Sequence, residues 1–165
     1  MNVLITGELA ALSLSMAQRF SKDGHRVVLA GQTPEINSKK IPQVIYHQIA
    51  AKDVLFQKAL ARYRFDAVIF IGAREEGLAY DGSIDSGEML DGLRNALDLA
   101  KNGKLDRFIV VSSTEIYGHA ANLEESSKVD PVSVNGYALN SAEEICRHYH
   151  NEYSLGVSIC RIPHV

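Results

Sequence analysis

Phe108-Ile109-Val110-Val111-Ser112-Ser113-Thr114-Glu115-Ile116-Tyr117-Gly118 is the stretch that decides the fold. A four-residue apolar run gives way to consecutive hydroxyl residues, the pattern of a strand buried on both faces. In open α/β sheets the carboxyl ends of such strands border the ligand crevice. The stretch therefore predicts a parallel sheet with Ser and Thr side chains at the mouth of a site.

Outward from it, short β-branched or aromatic runs alternate with longer amphipathic ones, which predicts a doubly wound α/β domain. Strands are expected at Val3-Leu4-Ile5, Val27-Val28-Leu29, Val44-Ile45-Tyr46, Val68-Ile69-Phe70-Ile71, Ile109-Val110-Val111 and Val157-Ser158-Ile159-Cys160. Helical spacing of apolar residues runs from Leu9 to Asp23, Asp53 to Arg64, Ser86 to Asn102 and Gly136 to Tyr153, with Gly24 and Gly103 as terminators. Right-handed crossovers give six strands in the order 3-2-1-4-5-6, a Rossmann-type sheet between two helical layers. His119 to Ser133 is acidic and Ser-rich, and reads either as a surface loop or as a lid over the crevice.

A length of 165 residues fits one domain with a substantial core, and 46% hydrophobic with 22% charged residues is an ordinary globular balance. The net charge of −3, with no basic run longer than Lys39-Lys40, gives no footprint for a nucleic-acid partner. The apolar stretches Ala67 to Ala73 and Phe108 to Val111 are too short to span a bilayer, and Met1 leads into a strand without a signal-peptide pattern. A cytoplasmic protein without a membrane partner is expected. Cys146 and Cys160 lack metal or redox spacing and are expected to be reduced core thiols. His47, His119, His148, His150 and His164 form no ligand pattern, so no metal site is expected.

The Ser112-Ser113 to Tyr117-Gly118 segment resembles the Ser-Ser-x-x-x-Tyr-Gly of extended short-chain dehydrogenase/reductases, the NAD-dependent epimerase/dehydratase family that acts on nucleotide-sugars. That resemblance implies NAD or NADP as cofactor, a nucleotide-sugar as ligand, and a substrate hydrogen bond from Ser113. Thr6-Gly7-Glu8-Leu9-Ala10-Ala11-Leu12-Ser13 stands where the family has Thr-Gly-x-x-Gly-x-x-Gly. There the first glycine makes the tight turn, the second lets the backbone approach the pyrophosphate, and the third lets helix and strand pack closely. Here Gly7 is kept, while Ala10 and Ser13 take the other two places. The resemblance thus puts Thr6, Gly7 and Ala10 at the dinucleotide, with Gln48 at the adenine and Ser112 beside the cofactor. Asp66 to Ala73 resembles Asp-Val-Val-x-His-Leu-Ala-Ala, with Gly72 and Ala73 small enough for the cofactor to pass. Leu29-Ala30-Gly31-Gln32 offers neither the acid that takes the ribose hydroxyls of NAD nor an Arg for the 2′-phosphate of NADP, so the choice stays open.

The family's Tyr-x-x-x-Lys pair is broken. In that chemistry the Tyr hydroxyl passes a proton while hydride moves, and the Lys charge lowers the Tyr pKa from its usual value of roughly 10. Aligning Tyr137 with the family Tyr puts Ser141 at Lys. The gap-free register through Glu143, Tyr149, Glu152-Tyr153 and Arg161 puts Asn135 at Tyr and Leu139 at Lys, and is the better match. Neither register supplies a Lys, and Lys128 precedes Pro131 in a loop. Ser113-Thr114-Glu115 resembles the Thr-Asp-Glu of nucleotide-sugar dehydratases with Glu115 at the base. The catalytic candidates are therefore Ser113, Tyr137 and Glu115.

Cys160-Arg161-Ile162-Pro163-His164-Val165 resembles the family's Leu-Arg-x-x-Asn-Val-Tyr-Gly-Pro, with His164 at the Asn. On that basis residues 1–165 are expected to be the cofactor half, with a substrate domain beyond 165. Two functions fit: an NAD(P)-binding domain of an epimerase/dehydratase-like protein with impaired catalysis, or a non-catalytic relative acting in regulation or protein association. A homodimer through the Ser86 to Asn102 and Gly136 to Tyr153 helices is what the resemblance implies for assembly.

Overall fold

The computed structural model describes residues 1–32, 41–73, 86–105, 107–119 and 122–163. In chain order these form β1 (Asn2–Gly7), α1 (Ala11–Lys22), β2 (Arg26–Gly31), β3 (Val44–Gln48), α2 (Phe56–Leu60), β4 (Ala67–Ile71), α3 (Ser86–Asn102), β5 (Phe108–Ser113), a short 3-10 turn (Thr114–Tyr117), α4 (Val134–Tyr153) and β6 (Val157–Ile162). The six strands are parallel in the order β3-β2-β1-β4-β5-β6, the order expected from the alternation.

Successive side chains of a strand point to opposite faces, so each central strand feeds two cores. Val3, Ile5, Val27, Leu29, Ile69 and Ile71 pack on the α1 side with Ala17. Leu4, Val28, Val68, Phe70, Phe108 and Val110 pack on the other side against Leu93 and Leu97 of α3 and Cys146 of α4. The edge strands β3 and β6 are only partly covered and alternate between half-buried and exposed. Cys160 lies on β6 and is exposed, so only Cys146 is the core thiol expected of both. Burial and the neighbouring Glu143 push the Cys146 thiol up to about 12.

Helix ends depart from the periodicity where local hydrogen bonds compete. The Asp53 carboxylate accepts from Leu55 N at 2.7 Å, forming a turn that leaves α2 only five residues. Helix α4 starts two residues before Gly136 because Ser133 caps it, its hydroxyl accepting from Gly136 N at 2.9 Å. No described helix is long and apolar enough to cross a membrane.

A buried charge ties α4 to β6. Glu143 is fully buried and accepts from Arg161 Nε at 3.0 Å and Nη2 at 2.7 Å, and from Arg147 Nη2 at 2.9 Å. Arg161 Nη1 donates to Tyr117 Oη at 2.5 Å and to the Glu125 carbonyl at 3.3 Å, and its guanidinium lies 5.0 Å from the Tyr117 ring centre. Burial pushes the Glu143 pKa up, but the Arg161 hydrogen bonds and the positive charges of Arg161 and Arg147 bring it below 4.5. The Ser112 hydroxyl assists from nearby, although it makes no hydrogen bond of ordinary geometry.

This depressed pKa fixes an acid limit. Below about 4.5 the unfolded chain takes up the Glu143 proton first, so the stabilisation is complete above that pH and is lost as pH falls through the lower folded value. Melting temperatures recorded from pH 6 down to about 3 should fall in the acid range, and more gently in Glu143→Gln. An equal fall in both proteins would show that Glu143 does not set the limit.

Candidate functional site

The carboxyl ends of β1, β2, β4 and β5 border the crevice. At the first turn Gly7 has φ +93°, and a Cβ there would stand 2.9 Å from Ile71 N and nearer still to Ile71 O. Glu8 N donates to Ile71 O at 2.8 Å, which locks the approach of β1 to β4. Thr6 Oγ1 donates to the Ala30 carbonyl at 2.8 Å in a buried position. Ala10 is the N-cap residue of α1, with no side-chain cap, and its carbonyl accepts from Ser13 Oγ at 2.7 Å. The hydroxyls of Thr6 and Ser13 are thus both bonded to backbone.

Leu9 turns inward, 4% exposed, and belongs to the core on the α1 side. Its side chain covers the end of β2: a Cβ built on Gly31 would be 2.5 Å from Leu9 Cδ1 and 2.7 Å from Cγ. Tyr46 Oη donates to the Gly31 carbonyl at 3.0 Å. Gln48 sits at the exposed end of β3.

On the other half, the amides of Gly72 and Ala73 both donate to the Val111 carbonyl, at 3.0 and 3.1 Å. The Cβ position of Gly72 is 3.3 Å from Leu139 Cδ2 and 3.8 Å from Met89 Sδ. Leu139 is fully buried in an apolar cluster with Ile116 and Tyr117, to which Met89 and Val129 add partial cover. Ser113 is buried, and its Oγ accepts from Glu115 N at 3.2 Å as the cap of the 3-10 turn. The Glu115 carboxylate accepts from Ser133 Oγ and from Asn135 Nδ2, the latter at 2.5 Å.

Tyr137 is not part of this cluster. It stands 60% exposed, and among the described residues its hydroxyl has no hydrogen-bond partner. Residues four apart share a helix face, whereas two apart lie on opposite sides. Asn135 and Leu139 therefore turn to the crevice, while Tyr137 and Ser141 turn out, the Ser141 hydroxyl donating to the Tyr137 carbonyl at 2.9 Å. The structure thus places Tyr137, one of the three catalytic candidates, apart from Ser113 and Glu115. Ser113 and Glu115 do come together, in a knot joining the end of β5 to the start of α4. Sequence reasoning missed Ser133 and Asn135 as the partners of Glu115, although Ser133 three residues before Gly136 carried a helix-cap signal. It also read Leu9 only as the start of a helical run and missed its cover over Gly31. His164 lies outside the described residues.

The family described as NAD dependent epimerase/dehydratase matches residues 3–165. Solved structures of UDP-galactose 4-epimerase (TM-score 0.81, 20% identity, covering 98% of this chain and 55% of that one) share the fold. So do UDP-glucose 4-epimerase from Thermotoga maritima with UDP-glucose (0.81, 16%, 98% and 55%) and UDP-glucuronic acid 4-epimerase from Bacillus cereus in complex with NAD (0.81, 19%, 99% and 57%). The chain spans about half the length of these proteins. No curated protein matches it.

Proposed function

The chain belongs to the NAD dependent epimerase/dehydratase family, and on that premise we propose that it is a non-catalytic relative of the nucleotide-sugar enzymes, a scaffold that works by association. Helix α4 carries the reading. Where the resemblance calls for Tyr and Lys, Asn135 is bonded to the Glu115 carboxylate and Leu139 is buried among apolar side chains. Hydride transfer to or from a sugar carbon needs a group that exchanges the hydroxyl proton near neutral pH. An amide side chain has no such proton, and a leucine has no charge to activate a phenol. Both oxygens of the Glu115 carboxylate are taken up by contacts within the fold, with Ser133 and Asn135.

Incubation of the protein with UDP-glucose, UDP-glucuronate or dTDP-glucose and either NAD or NADP, followed by proton NMR, should give no conversion above the uncatalysed rate. Epimerised or dehydrated sugar above that level overturns the reading.

Association is the activity that remains to the scaffold. Helices α3 and α4 pack side by side, and α4 leaves Val134, Tyr137 and Tyr153 exposed. Val134 and Tyr137, three residues apart at the start of α4, form an exposed apolar pair, and Tyr153 adds apolar exposure at the other end. We assign to these helices the pairing of two copies. Sedimentation should return twice the chain mass of 18.1 kDa, and a monomer at every concentration tested contradicts this part of the proposal.

A further inference from the structure

Resting on the reading that the proton relay is lost, and going beyond it, we infer that the crevice of this chain no longer admits a dinucleotide, because Leu9 and Leu139 fill its two ends. In this kind of sheet the pyrophosphate lies over the first turn at the helix N-terminus, and the ribose hydroxyls are taken by an acidic side chain about 20 residues further on. Gly31, at the end of β2, is the position from which such a side chain would project. Here the volume it would enter holds the isobutyl group of Leu9, 2.5 Å from the Gly31 Cβ position.

Leu9 is not a loose cover. It is 4% exposed and packs into the core on the α1 side. Admitting a ribose requires swinging it into water, and exposing one buried leucine weakens binding on the order of 10- to 100-fold. The same movement gains no carboxylate, since position 31 has no side chain to offer. The hydroxyls of Thr6 and Ser13 beside the turn are already bonded to backbone carbonyls. Ala10 adds a methyl group where the fingerprint keeps the backbone bare.

The far end is closed in the same way. The small residue Gly72, which the resemblance keeps clear for the cofactor, has Leu139 Cδ2 at 3.3 Å and Met89 Sδ at 3.8 Å from its Cβ position. Clearing it means parting Leu139 from Ile116 and Tyr117 and opening a buried apolar cluster. Polar replacements of fingerprint residues would leave a weak but open site. Two apolar side chains built into the cores close it.

The test is calorimetric titration of the whole chain with NAD, NADH, NADP and NADPH, alongside Leu9→Ala and the double variant Leu9→Ser with Gly31→Asp. The unaltered chain should give no binding at millimolar dinucleotide. The double variant, which empties the volume and restores a carboxylate, should gain at least 10-fold in affinity and favour NAD over NADP. Circular dichroism verifies that each variant is folded, and Leu9→Ala, the milder change, should gain in the same direction. Micromolar binding by the unaltered chain overturns the inference while leaving the loss of turnover standing. Folded variants that bind no better than the unaltered chain overturn it as well. Sugar conversion would instead sink the reading on which it rests.

Discussion

Glu143→Ala should lose about 3–5 kcal/mol of folding stability, the usual cost of removing one partner from a buried ion pair. The size follows from what stays behind. Arg161 of β6 would keep its bond to Tyr117 but lose both bonds to the carboxylate on α4. Arg147 would lose its bond to the same oxygen and keep only the exposed Glu144. A domain of ordinary stability has roughly 5–15 kcal/mol in all, so this one change removes a large fraction. Urea unfolding followed by circular dichroism measures it. A loss under about 1 kcal/mol would mean that the network is decoration and that apolar packing alone joins β6 to α4. Replacing Glu143 and Arg161 together by leucines should cost less than Glu143→Ala, because no buried charge is then left without a partner.

Gly7→Ala should cost a similar amount, about 3–5 kcal/mol, through two effects that add. At φ +93° any side chain is strained, and the new methyl would meet the Ile71 backbone, which has no rotamer with which to yield. Gly24→Ala provides the control. Gly24 also has a positive φ, +80°, but nothing lies within 4 Å of its Cβ position, so only the backbone strain of about 1 kcal/mol is expected. Equal losses at the two sites would show that strain, not the approach of β1 to β4, dictates glycine at position 7.

These two positions also mark how far the sequence could be read. The sheet order was legible because buried parallel strands write themselves as short apolar runs, such as Ala67 to Ile71, which the structure buries throughout. Helix α3 matched its periodicity from Ser86 to Asn102. Helix α2 did not, because the Asp53 turn competes with helix in a way that apolar spacing does not record. Gly7 was legible as a turn glycine.

The candidate site was read less completely. Asn135 and Leu139 could be placed on one face from their spacing, and the same rule sends Tyr137 outward. The pairing of Glu115 with Ser133 and Asn135 depends on how the loop before α4 returns to the sheet, which no local pattern encodes. Glu143 entered the sequence reading only as a match in the register of α4; its burial beside Leu139, Ala142 and Cys146 and its arginine partners had to be seen in three dimensions. Leu9 was read as the first residue of an apolar helical run, but the helix begins at Ala11, and periodicity does not say that a side chain in the turn before it will lie over the end of β2.

The most direct measurement is the nuclear Overhauser effect between the Leu9 δ-methyl protons and the Gly31 α-protons, recorded with and without NADH at millimolar concentration. A packed crevice predicts a strong cross-peak that NADH leaves unchanged, since Leu9 Cδ1 lies 2.5 Å from where a Cβ on Gly31 would stand. A cross-peak that is absent, or that disappears when NADH is added, would mean that Leu9 moves aside for the cofactor and that the crevice is open after all.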